Sequence, residues 1–530
     1  MPTSLNTVSP QSQPQRSFAV NVAAMMGICL AFMLTALNTS VVGIAMPRIV
    51  ADLQGYDLYP WAASSYLVGN TVMIPLAGRL GDLYGRKPFL LVAVALFALA
   101  SLACGLSQSM MQLILARGVQ GLAGGIFLGV ASASVADLFP ESAERLRWQV
   151  YMSAAYGLAM AVGPSFGGWV SEHASWRYVF HANLPVALAA FAMVWAYLPH
   201  VRQGDGDRGL DAWGAALLTA AVCGLLFSAE QGQAHGLFNA LSAALWAATV
   251  LLTWAFLRHQ YRTPAPVIPP DVMDNAVARR LMLLSAGSGM TMFLLVFYTP
   301  LLLQGSFHLS PKEAGYVMTP LLVFITVGSI ANSRIVPRLR RAERLITVGL
   351  AGMALGCVLL TQLSVHTPLV WMMLVFALCG ISLGFQLPNL TLQMMEAVGR
   401  KHFGVAGGLS QFTRTVGSMV GIGLASAVVN SVYQGRIAAT VAAARIDNPR
   451  LLELLATPQL LIRQQDELEM RALAQTLSLD PISLLDAARQ GLAQGTQAAF
   501  WLCAGVAALS TLVSLGLPRY SIRRDSESGV

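Results

Sequence analysis

Charge is what this chain has least of. Only 11% of its 530 residues are Asp, Glu, Lys or Arg, where soluble domains carry about 25%. Together with 55% hydrophobic residues, this excludes a soluble enzyme and leaves a protein whose surface faces lipid. Cysteine is thin too. Cys29, Cys104, Cys223, Cys357, Cys379 and Cys503 stand singly inside apolar runs. They have neither disulfide nor metal-ligand spacing and read as small packing residues, so no metal site is expected. No stretch matches Gly-x-x-x-x-Gly-Lys-[Ser/Thr], so no nucleotide loop and no cofactor is expected. The net charge of +8 is not a nucleic-acid signal; its meaning depends on where the cations sit. Residues 1–16 are polar, with Pro2, Pro10, Pro14 and the lone cation Arg16. They read as a disordered tail, without the charged start and cleavage site of a signal peptide.

What the chain does have is long apolar runs joined by short charged turns. The most informative turn is Gly78-Arg79-Leu80-Gly81-Asp82-Leu83-Tyr84-Gly85-Arg86-Lys87-Pro88. The runs on either side, Trp61 to Leu80 and Phe89 to Leu106, are each near the ~20 residues that cross a bilayer as a helix. Gly81 and Gly85 permit a tight turn and close helix approach. Asp82 is the unexpected member, because a carboxylate beside an apolar helix end needs a partner.

Apolar runs of spanning length begin near Phe18, Trp61, Pro88, Met110, Gln149, Val179, Ala212, Leu237, Arg280, Pro311, Leu345, Pro368, Gly404 and Gln497. The expectation is an all-α membrane protein with 14 transmembrane helices and both termini on one face. Cations select the face. One set of alternate loops holds Arg79, Arg86 and Lys87; Arg145 and Arg147; Arg202 and Arg208; Arg258, Arg262, Arg279 and Arg280; Arg334 to Arg344; and Arg400 and Lys401. The tails add Arg16, Arg519, Arg523 and Arg524. The opposite short loops hold only Arg48, Arg177 and Lys312. Positive loops stay inside, so both termini are expected in the cytoplasm, with the protein in the cytoplasmic (inner) membrane.

Residues 434–495 form a long polar segment that escapes this rule. Asp447-Asn448-Pro449 and Asp480-Pro481 each set a capping side chain at or beside a proline that begins a helix. An external helical hairpin is expected there, before the last span. In an envelope with two membranes it would dock a periplasmic adaptor.

Span four reads Arg117-Gly118-Val119-Gln120-Gly121-Leu122-Ala123-Gly124-Gly125. Arg117 falls about 10 Å deep, where an arginine costs at least ~2.5 kcal/mol and must face a partner or a wet cavity. Span five carries Gly157, Gly163, Pro164, Gly167 and Gly168. That pattern combines a small-residue packing face with a proline bend.

The opening turn resembles the loop signature of the major facilitator superfamily, Gly-x-Leu-x-Asp-x-x-Gly-Arg-Lys, matched at Gly78, Leu80, Asp82, Gly85, Arg86 and Lys87. Arg117-x-x-Gln120-Gly121 and the Gly157–Gly168 pattern resemble two further motifs of the same superfamily, the second of them typical of export-type antiporters. The span count makes the chain similar to its fourteen-helix drug:proton antiporters. That resemblance implies two six-helix bundles, residues 17–200 and residues 261–433 with 496–518, an inserted helix pair at 201–260, and tails at 1–16 and 519–530. It implies a secondary active transporter that exports a small-molecule substrate through the lipid bilayer by alternating access, in exchange for protons. Asp82 and its glycines would brace the cytoplasmic closure. Ser333 to Arg341 occupies the corresponding turn of the second bundle, with Pro337 where Asp82 has its counterpart.

One departure weakens the proton part of this expectation. The first span of the family carries a carboxylate where this chain has Asn38. Asparagine bonds an arginine but does not titrate. If Arg117 faces Asn38, as the resemblance implies, the proton-exchanging pair is incomplete. The charges expected deep in spans are Arg117 and Arg414, without a buried acid nearby. Asn38, Arg117, Gln120 and Arg414 are therefore the candidate substrate and coupling residues. Two buried cations favour an anionic or neutral substrate over a lipophilic cation. A facilitator or exchanger without proton coupling, and a non-transporting membrane sensor, are the rival readings.

Overall fold

The computed structural model describes residues 17–53, 58–139, 141–200, 211–235, 240–339, 341–444, 446–456, 458–461 and 464–519. The expected tail 1–16, most of the tail 519–530, and the loop with Arg202 and Arg208 lie outside them. Among the described residues every regular element is helical. In chain order these are α1 (Phe18–Leu53), α2 (Tyr59–Tyr84), α3 (Arg86–Leu106), α4 (Met110–Leu138), α5 (Ser142–His173), α6 (Arg177–His181) and α7 (Asn183–Tyr197). Then come α8 (Ala212–His235), α9 (Ala240–Gln260), α10 (Pro270–Asp274), α11 (Ala276–Leu301), α12 (Pro311–Ile335), α13 (Glu343–Thr361) and α14 (Leu369–Val398). The last four are α15 (Phe403–Ala444), α16 (Pro449–Leu455), α17 (Gln464–Thr476) and α18 (Pro481–Leu515).

Among the described residues, 12 helical segments are long and apolar enough to cross a membrane, by length and composition alone. That is two fewer than the sequence predicts. α2 and α5, of 26 and 32 residues, are not among the 12.

The helices sort by packing. α1 lies against α5 and α7, α2 against α4, and α3 against α4 and α7. Further along, α11 lies against α15 and α18, α12 against α14, and α13 against α14 and α18. The two groups meet along a seam where α5 touches α12 and where α2 and α4 touch α15. α8 and α9 pair with each other, and α8 leans on α2 and α15. The pair is pinned at one end by Asp211. Its carboxylate lies 2.9 Å from His259 Nε2 and accepts bonds from Gln260 Nε2 (3.1 Å) and the Gly214 amide (2.8 Å).

Small residues set the closest approaches in both groups. A Cβ on Gly121 or Gly125 of α4 would overlap the backbone carbonyls of Tyr66 or Asn70 on α2. Gly380 and Gly384 of α14 stand in the same relation to Leu321 and Ile325 of α12. Lipid offers no hydrophobic force to press helices together, so contact depends on backbones meeting closely.

The segment before the last helix is helical, with α15 running through to Ala444 and α18 starting at Pro481. Continuous helix therefore occupies much of 434–495. The alanine-rich run Ala438 to Ala444 favours helix until Asp447-Asn448-Pro449 breaks it. Asn448 caps α16 through the Leu451 amide (3.1 Å), and Asp480 caps α18 through the Ile482 amide (3.0 Å). α16 and α17 are not free-standing. Leu451, Leu455 and Met470 share a buried core with Leu303, Leu484 and Leu492. Trp176 is buried, and its Nε1 donates to Asp52 Oδ2 at 2.9 Å.

Gly121→Val tests the packing. It forces the α2–α4 contact apart, at about 1–3 kcal/mol for overpacking, and should lower the unfolding temperature of the detergent-solubilised protein. At Gly505 a Cβ would meet nothing within 4 Å, so alanine there should bring no loss. Equal unfolding temperatures for the two variants would refute the account.

Candidate functional site

The charged turn between α2 and α3 is where the two helix groups are tied. α2 runs to Tyr84, and Gly85 reverses the chain at φ 88°, a conformation that favours glycine. The turn places Asp82 and Arg86 one helical turn apart, with Arg86 NH2 donating to Asp82 Oδ1 at 2.9 Å. Arg86 also donates to the Ala133 carbonyl (2.8 Å) and pairs with Asp137 at the end of α4. Asp82 and Arg86 are each only 3% exposed. Lys87 reaches the other way and donates to the Trp195 carbonyl at the end of α7 (2.7 Å).

Asp82 then crosses the seam. Its Oδ1 accepts from the Gly404 amide (2.9 Å) and its Oδ2 from the Val405 amide (3.0 Å). These are free donors in the first turn of α15, and the positive end of the helix dipole meets the carboxylate there. Gly78 and Gly404 make the contact possible, since a Cβ on either would strike the other's backbone. His402 sits just ahead of this point. Burial, then the neighbouring Lys401 charge, hold its imidazole below the usual histidine range. It is therefore neutral near pH 7, and its 3.5 Å approach to Asp271 is a contact rather than an ion pair.

A second tie mirrors the first, and sequence reasoning missed it. Glu396 at the end of α14 accepts from Ser142 Oγ (3.0 Å) and pairs with Arg145, both in the first turn of α5. Each group thus sends a carboxylate to a helix start in the other. The signal was a lone acid at a helix end opposite a Ser-x-x-Arg helix start.

Arg117 is 3% exposed and lies between helices. Its Nε donates to the Ala62 carbonyl (3.2 Å) and its NH1 to Gln120 Oε1 (2.9 Å). Its guanidinium lies 4.4 Å from the Tyr66 ring centroid. Gln120 passes the chain on to Ser101 Oγ (2.7 Å). The expected Arg117–Asn38 pairing is absent. Asn38 is 2% exposed, and neither its Oδ1 nor its Nδ2 has a hydrogen-bond partner. On α5, Gly157 faces Thr326 of α12 across the seam and Gly167 packs on Val41 of α1. Gly163, Pro164 and Gly168 lie within the same helix.

Between the groups is a cavity of about 1290 Å³ of empty space, its mouth included. Both groups line it, with Phe32, Tyr66, Asn70 and Tyr156 from one and Phe293, Pro388, Gln411 and Arg414 from the other. Arg414 is on the wall; Arg117, Gln120 and Asn38 are not.

Residues 28–422 match the family model described as Major Facilitator Superfamily. The chain belongs to that superfamily. It is a multi-pass membrane transporter and not an enzyme. It is 32% identical over 406 residues to the "Multidrug transporter protein MdtP" of Bacillus subtilis (strain 168), covering 76% of this chain and 74% of the relative. It is 28% identical over 418 residues to "Multidrug resistance protein 3" of the same organism, covering 78% and 80%. Among solved structures, the human organic anion transporter MFSD10 (TETRAN) superposes with a TM-score of 0.62 at 15% identity, covering 95% of this chain and 100% of that one. The proton:xylose symporter XylE superposes at 0.58 and 12% identity, covering 95% and 97%. Identities this low establish the superfamily fold alone.

Within that fold, Asp82→Asn tests the tie. Removing one member of a buried charge cluster costs about 3–5 kcal/mol, so the seam should part more often. Ser132, which lines the cavity and contacts the seam glycine Gly407, reports this as a cysteine. Its labelling by a membrane-impermeant maleimide from the Asp82 side should accelerate in the Asp82→Asn background. Unchanged labelling would exclude a closing role.

Proposed function

We propose that this transporter exports small molecules from the cytoplasm as a secondary active carrier, by alternating access around the central cavity. The observation that carries the reading is the Asp82 carboxylate bonded to the α15 amides across the seam. It gives the molecule a closed gate on one side of a shared cavity. The relatives named as multidrug transporters support export of drugs or toxic metabolites as the task. α2 and α5, at about 39 and 48 Å for 26 and 32 residues, are long enough to bring the spans to fourteen. Inside-positive loops then put the Asp82 end and both termini in the cytoplasm, in the inner membrane.

The proton gradient is the expected energy source by resemblance to drug:proton antiporters. The composition of the cavity wall favours the uncoupled rival, a facilitator or exchanger. Among the described residues none that lines the cavity is acidic, and Asn38 cannot titrate. Export into proteoliposomes, with and without an imposed pH gradient, separates the two. A rate that rises with the gradient and falls in Asp82→Asn supports proton-driven export; a rate indifferent to the gradient selects the exchanger. No substrate movement under either condition would leave only a sensor.

The outer face of α17, where Leu468 is 62% exposed, is where a periplasmic adaptor would dock. Leu468→Glu should then lower export by whole cells and leave transport by vesicles unchanged. Equal whole-cell export would remove the adaptor. A cysteine at position 468, labelled only from outside intact cells, checks the orientation.

A further inference from the structure

We infer that the central cavity takes an amphipathic organic anion, an apolar or aromatic body bearing one carboxylate or sulfonate, received by the guanidinium of Arg414. The inference rests on the export reading above for its physiological sense, and on the cavity alone for its chemistry.

Three observations converge. Arg414 supplies the one charged side chain on the described cavity wall, and no described lining residue is acidic. It stands about 16 Å along α15 from Phe403, near mid-bilayer, where a charge with no counter-charge is most costly. The other arginines of the seam and of α4 already have partners. Arg86 holds Asp82 and Asp137, Arg145 holds Glu396, and Arg117 holds Gln120 and the Ala62 carbonyl. Arg414 is bonded, among the described residues, only to the neutral Gln411 one turn earlier on its own helix.

Its position is set from behind. Gly289 of α11 lets the α15 backbone approach so closely that a Cβ there would overlap the Arg414 carbonyl and touch its Cγ. The stem is thereby held while the guanidinium lines the cavity. Donors in a planar fork suit a carboxylate or sulfonate. The hydroxyl of Tyr66, also on the wall, has no hydrogen-bond partner and is a further donor. The rest of the wall is built for an apolar body. Phe32 and Tyr156 pair at 5.3 Å between ring centroids, beside Phe293 and the adaptable side chains of Met152, Met160 and Met292. A cation entering this space meets a like charge and no carboxylate.

The test is calorimetric titration of the purified full-length protein with three probes of one shape: naphthalene-2-sulfonate, 2-naphthylmethylammonium and 2-naphthylmethanol. The sulfonate should bind about 10-fold or more tighter than either of the others. Arg414→Gln should erase that preference and leave the alcohol's affinity unchanged, which also reports folding; Arg414→Lys should keep part of it. Equal or tighter binding of the ammonium probe by the wild type, or a preference that survives Arg414→Gln, would overturn the inference. Where Arg414→Gln does not fold, phenylglyoxal modification of Arg414 in the wild type replaces it. Protection by the sulfonate supports the site, and no protection refutes it. Export is read separately, as probe uptake into everted vesicles. Sulfonate binding without uptake overturns the export reading and leaves the ligand class standing. Uptake of the ammonium probe alone does the reverse.

Discussion

A carboxylate set against the start of a helix holds the two halves of this molecule together at one end. Asp82 meets the Gly404 and Val405 amides directly, at 2.9 and 3.0 Å, with Arg86 and Asp137 stacked behind it. The first amides of any helix lack partners, and the peptide dipoles sum to a partial positive charge there. In a low-dielectric setting that end attracts an anion strongly, provided the anion's own burial is offset. Arg86 supplies the offset, and Asp137 balances Arg86. Each carboxylate of the cluster therefore has a cationic partner while nearly closed to water. It comes apart only if α15 moves away from α2, which makes the tie reversible by rigid-body motion rather than by local unfolding.

A carboxylate makes the second tie too, there to side chains at a helix start. Glu396 and the Ser142–Arg145 turn form the second tie, from the other half back to α5. The small-residue contacts repeat as well, α4 on α2 and α14 on α12. Both helix groups reach this packing because close backbone approach asks only for glycine at a few positions. Between the ties and the small-residue seams lies the cavity, whose described wall carries one uncompensated cation. A transporter that binds and releases cargo needs a site unsatisfied in its empty state, and the proposed reading gives that part to Arg414. Arg117, by contrast, lies off the cavity wall and donates to Ala62 and Gln120 beside the Tyr66 ring.

The helical character and the superfamily were legible in the chain itself. A charge content of 11% and runs of about twenty apolar residues leave few alternatives, and the Gly78–Lys87 turn is specific once it joins two such runs. The helix starts at Asn448 and Asp480 were legible too, since a capping side chain ahead of proline is a local signal. Less legible was the extent of helix around 434–495, where a short hairpin was expected and α15 and α18 run in from either side. There the apolar faces of α16 and α17 find cover on the adjacent core, so tertiary contact completes what the local pattern left open.

The sequence by itself determined that this chain crosses a lipid bilayer many times, because each span's hydrophobicity is a local sum over consecutive residues. It also determined that Arg117 and Arg414 would lie deep in their spans, because depth follows from position along a helix. It did not determine what they face. That depends on the rotation of each helix and on which neighbour arrives, and both are set by packing between residues tens to hundreds of positions apart. Only the tertiary structure separated the two arginines, giving Arg117 a carbonyl and a glutamine and leaving Arg414 on the cavity wall. Only the tertiary structure joined Asp82 to the Gly404 amide and Glu396 to the Arg145 side chain, because helix starts look alike in sequence and are told apart by where each helix begins in space.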